Sequence, residues 1–191
     1  TVATLNSYQF FYPYSVPGVK DNPTSKTYRV LHDLICRFIL RRMDKFVALS
    51  TAVEEQYSRI LPEEKLELVP NMYDPEFGNE ENIETHENEI IYVGGFVEKK
   101  GLQDLIEEMK ELPDYNLRIV GDGERREYLE EKVESSNLDE RITFEGYVDH
   151  DKLSEYYSRA GWFVHASKWP EPLNRTLFEA MQTETAALCS N

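Results

Sequence analysis

Glu171 and Glu179 are the pair in this chain with the clearest capacity for joint chemistry: two carboxylates with seven residues between them, the first flanked by prolines and with Arg175 in the interval. Pro170 and Pro172 each remove a backbone donor and keep the residue before them out of the helical region. A helix therefore starts only near Asn174, which leaves Glu171 on a loop and puts Glu179 inside the helix. The apolar run Trp162-Phe163-Val164 just upstream reads as a strand. The first amides of the helix, those of Arg175, Thr176 and Leu177, face the same space as Glu171, and a strand end, a loop and a helix N-terminus together suit an anion. Two carboxylates at this spacing are also what a solvated loop and an ordinary surface helix would carry, so their setting decides.

Two other candidate strand ends bear on that setting. After Val93 comes Gly94-Gly95, with Lys99, Lys100 and Gly101 following; glycines permit a tight turn and a lysine at the head of the next helix can meet phosphate as a point charge. After Val120 comes Gly121-Asp122-Gly123, a common turn sequence in its own right. His150 and His165 have no partner at metal-ligand spacing; His165, beside a strand end, reads as structural or as a pocket wall, and His32 and His86 as surface residues. No zinc pattern, Walker loop or nucleophile elbow is present.

These ends need strands and helices to hold them. From Ile90 onward short apolar runs alternate with helical patterns: strands at 90–93, 117–120, 142–144, 162–164 and 186–189, helices at 102–109, 124–135, 152–159 and from 174. Strands separated by helices of about ten residues predict a parallel sheet covered on both faces. Upstream, strands are predicted at 2–5, 46–49 and 66–69, with a helix at 51–60. A second helix, 25–43, carries Tyr28, Leu31, Leu34, Ile35 and Phe38 at helical spacing, read first as a core-facing stripe and second, with Arg37, Arg41, Arg42 and Lys45 on its flank, as a membrane-surface helix. Residues 78–89 are acidic and polar and form the natural linker.

Composition sets the remaining bounds. The formal charge is −15 and hydrophobic residues make up 40%, which excludes a nucleic-acid binder and allows a true core. Seven of the 21 basic residues but only three of the 36 acidic ones fall in the first fifty, so the first quarter is basic and the rest strongly acidic. Cys36 and Cys189 sit in apolar patterns and read as reduced core thiols of a cytosolic protein. No apolar run reaches the roughly 20 residues of a membrane span and no signal peptide is evident. The chain starts at Thr1 directly in a strand and ends in another, which points to a fragment lacking its natural start and end.

Taken in order, the strand ends resemble the retaining glycosyltransferases of family 4. The match runs through residues 69–77, 94–101, 121–123, 144–147 and 171–181. The resemblance implies an α/β chain of GT-B type, with parts of two Rossmann-like domains whose parallel sheets are covered by helices. Residues 1–78 would be the end of an acceptor domain, 79–89 a linker and 90–191 a truncated donor domain. Lys100 would bind the donor diphosphate, Glu179 the nucleotide ribose, and Glu171 would lie by the donor sugar. Gly94, Gly95 and Gly121 would line the donor, and the backbone from Leu173 through Asn174, Arg175 and Thr176 to Leu177 would hold sugar and phosphate. Catalytic weight falls on Glu171 and Lys100, with a UDP- or GDP-sugar as co-substrate, no metal and no cofactor.

Four departures stand out from the family pattern, the first being Met72, which replaces a glycine at the linker entry beside Asn71. Gly95 stands where many members have arginine, which shifts the phosphate load to Lys100 with Lys99 or Arg175. Asn174 replaces a glycine, narrowing the pocket or giving an amide to the sugar, and Asn6 stands where a catalytic histidine is common. The expected activity is transfer to a glycan or lipid-linked saccharide by a cytoplasmic enzyme, with a peripheral place on the inner face of the membrane as the second expectation and the fragment itself inactive. A sugar-nucleotide epimerase and an inactive binding module are the alternatives.

Overall fold

Short apolar strands at near-regular intervals give this chain two parallel sheets. The computed structural model describes residues 2–5, 34–35, 38–70, 74–78, 83–169, 171 and 173–190. The chain divides into two compact units, residues 1–73 and 74–191. Asn6, Cys36, Asn71, Met72 and the first part of the 25–43 helix lie outside the described residues.

In the first unit, β1 (Val2–Leu5), β2 (Lys45–Ala48) and β3 (Leu66–Leu68) pair in parallel in that order. Helix α1 (Thr51–Ser58) begins at Ser50, whose Oγ accepts from the Val53 amide at 3.3 Å, and it buries Val53 and Tyr57 against Leu5, Phe46 and Ala48. Residues 34–35 and 38–41 are helical, but the expected core stripe faces outward: Leu34, Ile35, Phe38 and Ile39 are exposed while Leu40 is buried. Two residues along a helix turn by about 200°. Burying Leu40 therefore carries Phe38 to the far side.

The second unit holds β4 (His86–Val93), β5 (Asn116–Val120), β6 (Ile142–Gly146), β7 (Ala160–His165) and β8 (Ala186–Cys189), parallel throughout in the order β6-β5-β4-β7-β8. Four helices connect them: α2 (Leu102–Glu108), α3 (Arg126–Ser135), α4 (His150–Arg159) and α5 (Arg175–Gln182). Alternation along the strands splits the core. Ile90, Tyr92, Leu117 and Ile119 pack with α2 and α3, whereas Ile91, Val120 and Phe163 pack with α4 and α5. The chain steps outward from β4 to β6 and then returns to β7 on the other side of β4, so the sheet's switch point lies between β4 and β7.

Two expectations are corrected here. The second unit begins at Asp74 and not after residue 89: Phe77 is buried in the core under α4 and α5, and Gln182 Nε2 donates to the Asp74 carbonyl at 2.6 Å. The stretch assigned to a linker ends inside β4, whose residues His86–Asn88 are polar because that end of the strand is exposed. Cys189 is an exposed free thiol and not a core residue, since β8 pairs only with β7 and all four of its residues are exposed.

Candidate functional site

The two strands that flank the switch point deliver the first half of the site. Glu98–Lys100 form a 3-10 turn after β4, closed by Gly101 at φ 71°. A Cβ on Gly101 would lie 1.9 Å from the Ala166 carbonyl oxygen, so only glycine lets this turn press against the loop after β7. The Lys168 amide then donates to the Lys99 carbonyl at 2.8 Å and stitches the loops together. The result is an ion pair between residues 71 positions apart: Lys100 Nζ donates to Glu171 Oε1 at 2.6 Å. Both side chains are largely covered, at 27% and 18% exposure.

Ser167, buried at 8% exposure, donates from Oγ to the same Glu171 oxygen at 3.0 Å. Its carbonyl accepts from Ser190 Oγ, which fixes the loop to the end of β8. Two neutral groups border the pair. Burial lowers the pKa of His165, Glu171 opposes that shift and Lys100 adds to it. Burial, and then the charge of Glu171, push the Tyr92 hydroxyl upward.

The second half is built on α5. Asn174 is its N-cap, accepting at Oδ1 from the Leu177 amide at 3.2 Å and from Thr176 Oγ1 at 2.9 Å. Glu179 is 6% exposed and points inward, not to solvent. Its Oε2 accepts from the Tyr157 hydroxyl at 3.1 Å, and its Oε1 forms an ion pair with Arg175, 3.0 Å from Nε. His150 Nε2 lies 3.2 Å from Oε1 and 2.9 Å from Arg175 Nη2. A buried carboxylate survives because it is paired and hydrogen-bonded. Beside it, burial and the Glu179 charge raise the Tyr157 pKa and keep its proton on.

The expected site residues therefore fall into distinct roles. Lys100 and Glu171 meet directly, and Glu179 and Arg175 meet on α5. Leu177 gives its amide to the cap and so is not a free donor, whereas the amides of Arg175 and Thr176 lie in the first helical turn, where no intrahelical acceptor exists. The oxygen of Asn174 is spent on capping. Leu173 is half-buried on the loop.

Gly94 and Gly121 serve close approach: their amides donate to the Val120 and Gly146 carbonyls, and a Cβ on Gly121 would lie 2.0 Å from the Gly94 oxygen. Gly95 is open, with nothing nearer its would-be Cβ than the Asp122 carbonyl at 3.9 Å. Sequence spacing missed the contacts of His150 and Tyr157, which come from a different helix than Glu179, and of Ser167, four residues before Glu171 on the same loop; the one available signal was that each lies next to a strand end or on a core-facing helix. Among the described residues no three His, Cys, Asp or Glu side chains gather as a metal-ligand set.

The family model described as Glycosyl transferases group 1 matches residues 74–191, the whole second unit. The chain belongs to the glycosyl transferases group 1. Its relatives in this group include an uncharacterized glycosyltransferase of Methanocaldococcus jannaschii, 27% identical over 76% of this chain and 42% of that protein. Another is the 2-deoxystreptamine N-acetyl-D-glucosaminyltransferase of Streptomyces fradiae, 24% identical over 83% of this chain and 42% of that protein. The chain spans less than half the length of these relatives. Among solved structures, Anabaena HepE in complex with UDP and glucose superposes with a TM-score of 0.75 at 15% identity, over 98% of this chain and 52% of that one. WaaG, a glycosyltransferase of lipopolysaccharide biosynthesis, gives 0.74 at 19%, over 98% and 55%. The group 1 chain thus has the GT-B kind of fold, mixed α/β with parallel sheets.

Proposed function

We propose that residues 74–191 form the donor-binding unit of a nucleotide-sugar-dependent glycosyltransferase of family 4, with residues 1–73 belonging to the acceptor side. The observation that carries the reading is the Lys100–Glu171 ion pair at the sheet's switch point. A cation at that place, with the first turn of α5, neutralises charge that grows on a diphosphate as the bond to the sugar breaks, and donors fixed before the reaction lower its barrier. Glu171, held by Lys100 and Ser167, faces the sugar, while the unoccupied lone pairs of Glu179 take ribose hydroxyls. The donor is a UDP- or GDP-sugar and no metal is required, since protein cations carry the phosphate. Transfer proceeds with retention to a glycan or lipid-linked saccharide.

The test is a panel of UDP-, GDP- and ADP-sugars offered to the full-length protein with saccharide acceptors, reading nucleotide release and the product anomer. Lys100→Ala and Glu179→Ala lower turnover by about 10²-fold, the scale of losing a transition-state donor. Wild-type rates in both sink the assignment. Isomerisation of a nucleotide sugar without acceptor would instead mark an epimerase, and no affinity for any nucleoside diphosphate an inactive module.

A peripheral, cytoplasmic membrane location has support of its own in the exposed side chains Leu34, Ile35, Phe38 and Ile39 beside Arg41 and Arg42. No described helix is long and apolar enough to cross a membrane. Flotation with anionic but not zwitterionic vesicles is the expected result, and Phe38→Asp abolishes it.

A further inference from the structure

Arg175 is placed against the preferences of its own helix. It is the first residue of α5, where the positive end of the helix dipole disfavours a cation, and it precedes its carboxylate partner Glu179 by four residues, the weaker order for such a pair. Local rules broken in this way mark sites more often than packing. The guanidinium is nevertheless fixed: Nε lies 3.0 Å from Glu179 Oε1 in an ion pair and Nη2 donates to His150 Nε2 at 2.9 Å. Both supports are themselves held. Glu179 takes the Tyr157 hydroxyl, and the His150 ring packs on Phe77 with centroids 5.0 Å apart.

Arginine carries five N–H donors in a rigid fork. One is spent on His150 and the Nε edge is ion-paired with Glu179, while the side chain stays 63% exposed and leaves the other N–H groups toward solvent. An arginine N–H can only donate, so His150 Nε2 is the acceptor in that contact, and the same nitrogen lies 3.2 Å from Glu179 Oε1. Glu179 is thereby left lone pairs for other donors.

Charge requires such a group. The other cation of the site, Lys100, is likewise paired with a carboxylate, Glu171, so neither cation alone offers a full positive charge. Four other cations on these loops and helix starts are engaged elsewhere: Lys99 on the Trp169 ring, Lys168 with Asp104, Arg125 with Glu98, Arg126 with Glu130. In a chain of net charge −15, a dianionic phosphate group needs more than one half-neutralised lysine.

We propose that Arg175 is the second phosphate-binding cation of this site and that His150 is its positioning residue, holding the fork so that its unspent N–H groups meet the phosphates while Glu179 meets the ribose attached to them. This rests on the donor-site reading above.

The test measures, for the full-length protein, affinities for UDP, GDP and ADP and for the matching nucleosides by calorimetry and ligand NMR. Arg175→Ala weakens the preferred diphosphate by about 10-fold or more, with the nucleoside changed less than about 2-fold, as expected of a charge-assisted contact to phosphate alone. His150→Phe, which keeps the ring on Phe77 but loses the acceptor, weakens the diphosphate by several-fold. His150→Gln, which restores an acceptor near Nε2, recovers most of that loss. The proposal is overturned if Arg175→Ala weakens diphosphate and nucleoside alike, or neither, and the positioning role is overturned if Phe and Gln behave the same. Those outcomes leave the donor-site reading standing. Failure of the wild type to bind any of the three diphosphates overturns both.

Discussion

Removing Lys100 and Glu171 singly and together should show a coupling of about 1.5 kcal/mol between them in the ligand-free protein. At 2.6 Å the gross attraction in an effective dielectric of about 20 is roughly 6 kcal/mol, most of which is returned as lost hydration. Fully exposed pairs retain about 0.2–1 kcal/mol and hydrogen bonds to charged groups about 1.5–3. With roughly a quarter of one side chain and a fifth of the other still wet, this pair belongs between those classes. The assay is urea unfolding at neutral pH of wild type, Lys100→Met, Glu171→Gln and the double variant, followed by tryptophan fluorescence. Both tryptophans, Trp162 and Trp169, lie in the second unit, so the signal reports the unit that holds the pair. The double variant should be more stable than the sum of the single losses predicts. A coupling below about 0.3 kcal/mol would refute the idea that the two loops are held by this contact, and would leave the loop stitching to Gly101 and Lys168 alone.

Other expectations follow from the same geometry. Gly101→Ala should destabilise the second unit by roughly 3 kcal/mol or more, since its Cβ would overlap the Ala166 carbonyl, while Gly95→Ala should be near neutral in thermal unfolding. Tyr157→Phe should cost about 1–3 kcal/mol in urea unfolding, because it leaves a buried Glu179 oxygen short of a donor. Hydrogen bonds from Lys110 and then Lys132 hold Glu107 at about 2, below its ordinary 4.5. Its contribution is therefore present above pH 4.5 and lost as pH falls toward 2, and Glu107→Gln should flatten that part of the acid-unfolding curve. His165, whose pKa burial lowers from 6.5, should cost stability as pH falls below 6.5, and His165→Gln should remove that slope.

The alternation of strands and helices after Ile90 was legible because the central strands are covered on both faces and read as apolar runs, from Ile90-Ile91-Tyr92 to Trp162-Phe163-Val164. The start of α5 was legible because two prolines leave the helix nowhere else to begin. What spacing does not carry is contact between residues distant in the chain. Nothing in the sequence pairs Lys100 with Glu171, or brings His150 and Tyr157 to Glu179, because the closeness of those groups depends on the strand order β6-β5-β4-β7-β8 and not on intervals along the chain. Phe77 was missed for a related reason: an aromatic in a polar, acidic neighbourhood looks like part of a connector until the core that receives it is seen.

The anchoring of residues 74–78 also has a mechanical side. The chain enters the second unit through Asp74, tied to Gln182 at the end of α5, and Phe77, lodged against His150 and Tyr157. Tension arriving from the first unit is therefore delivered to the helix that bears Arg175 and Glu179 before it reaches the sheet. If α5 holds a nucleotide as proposed, a pull on this connection would change the grip on it, and a tightly held nucleotide would stiffen the connection in return.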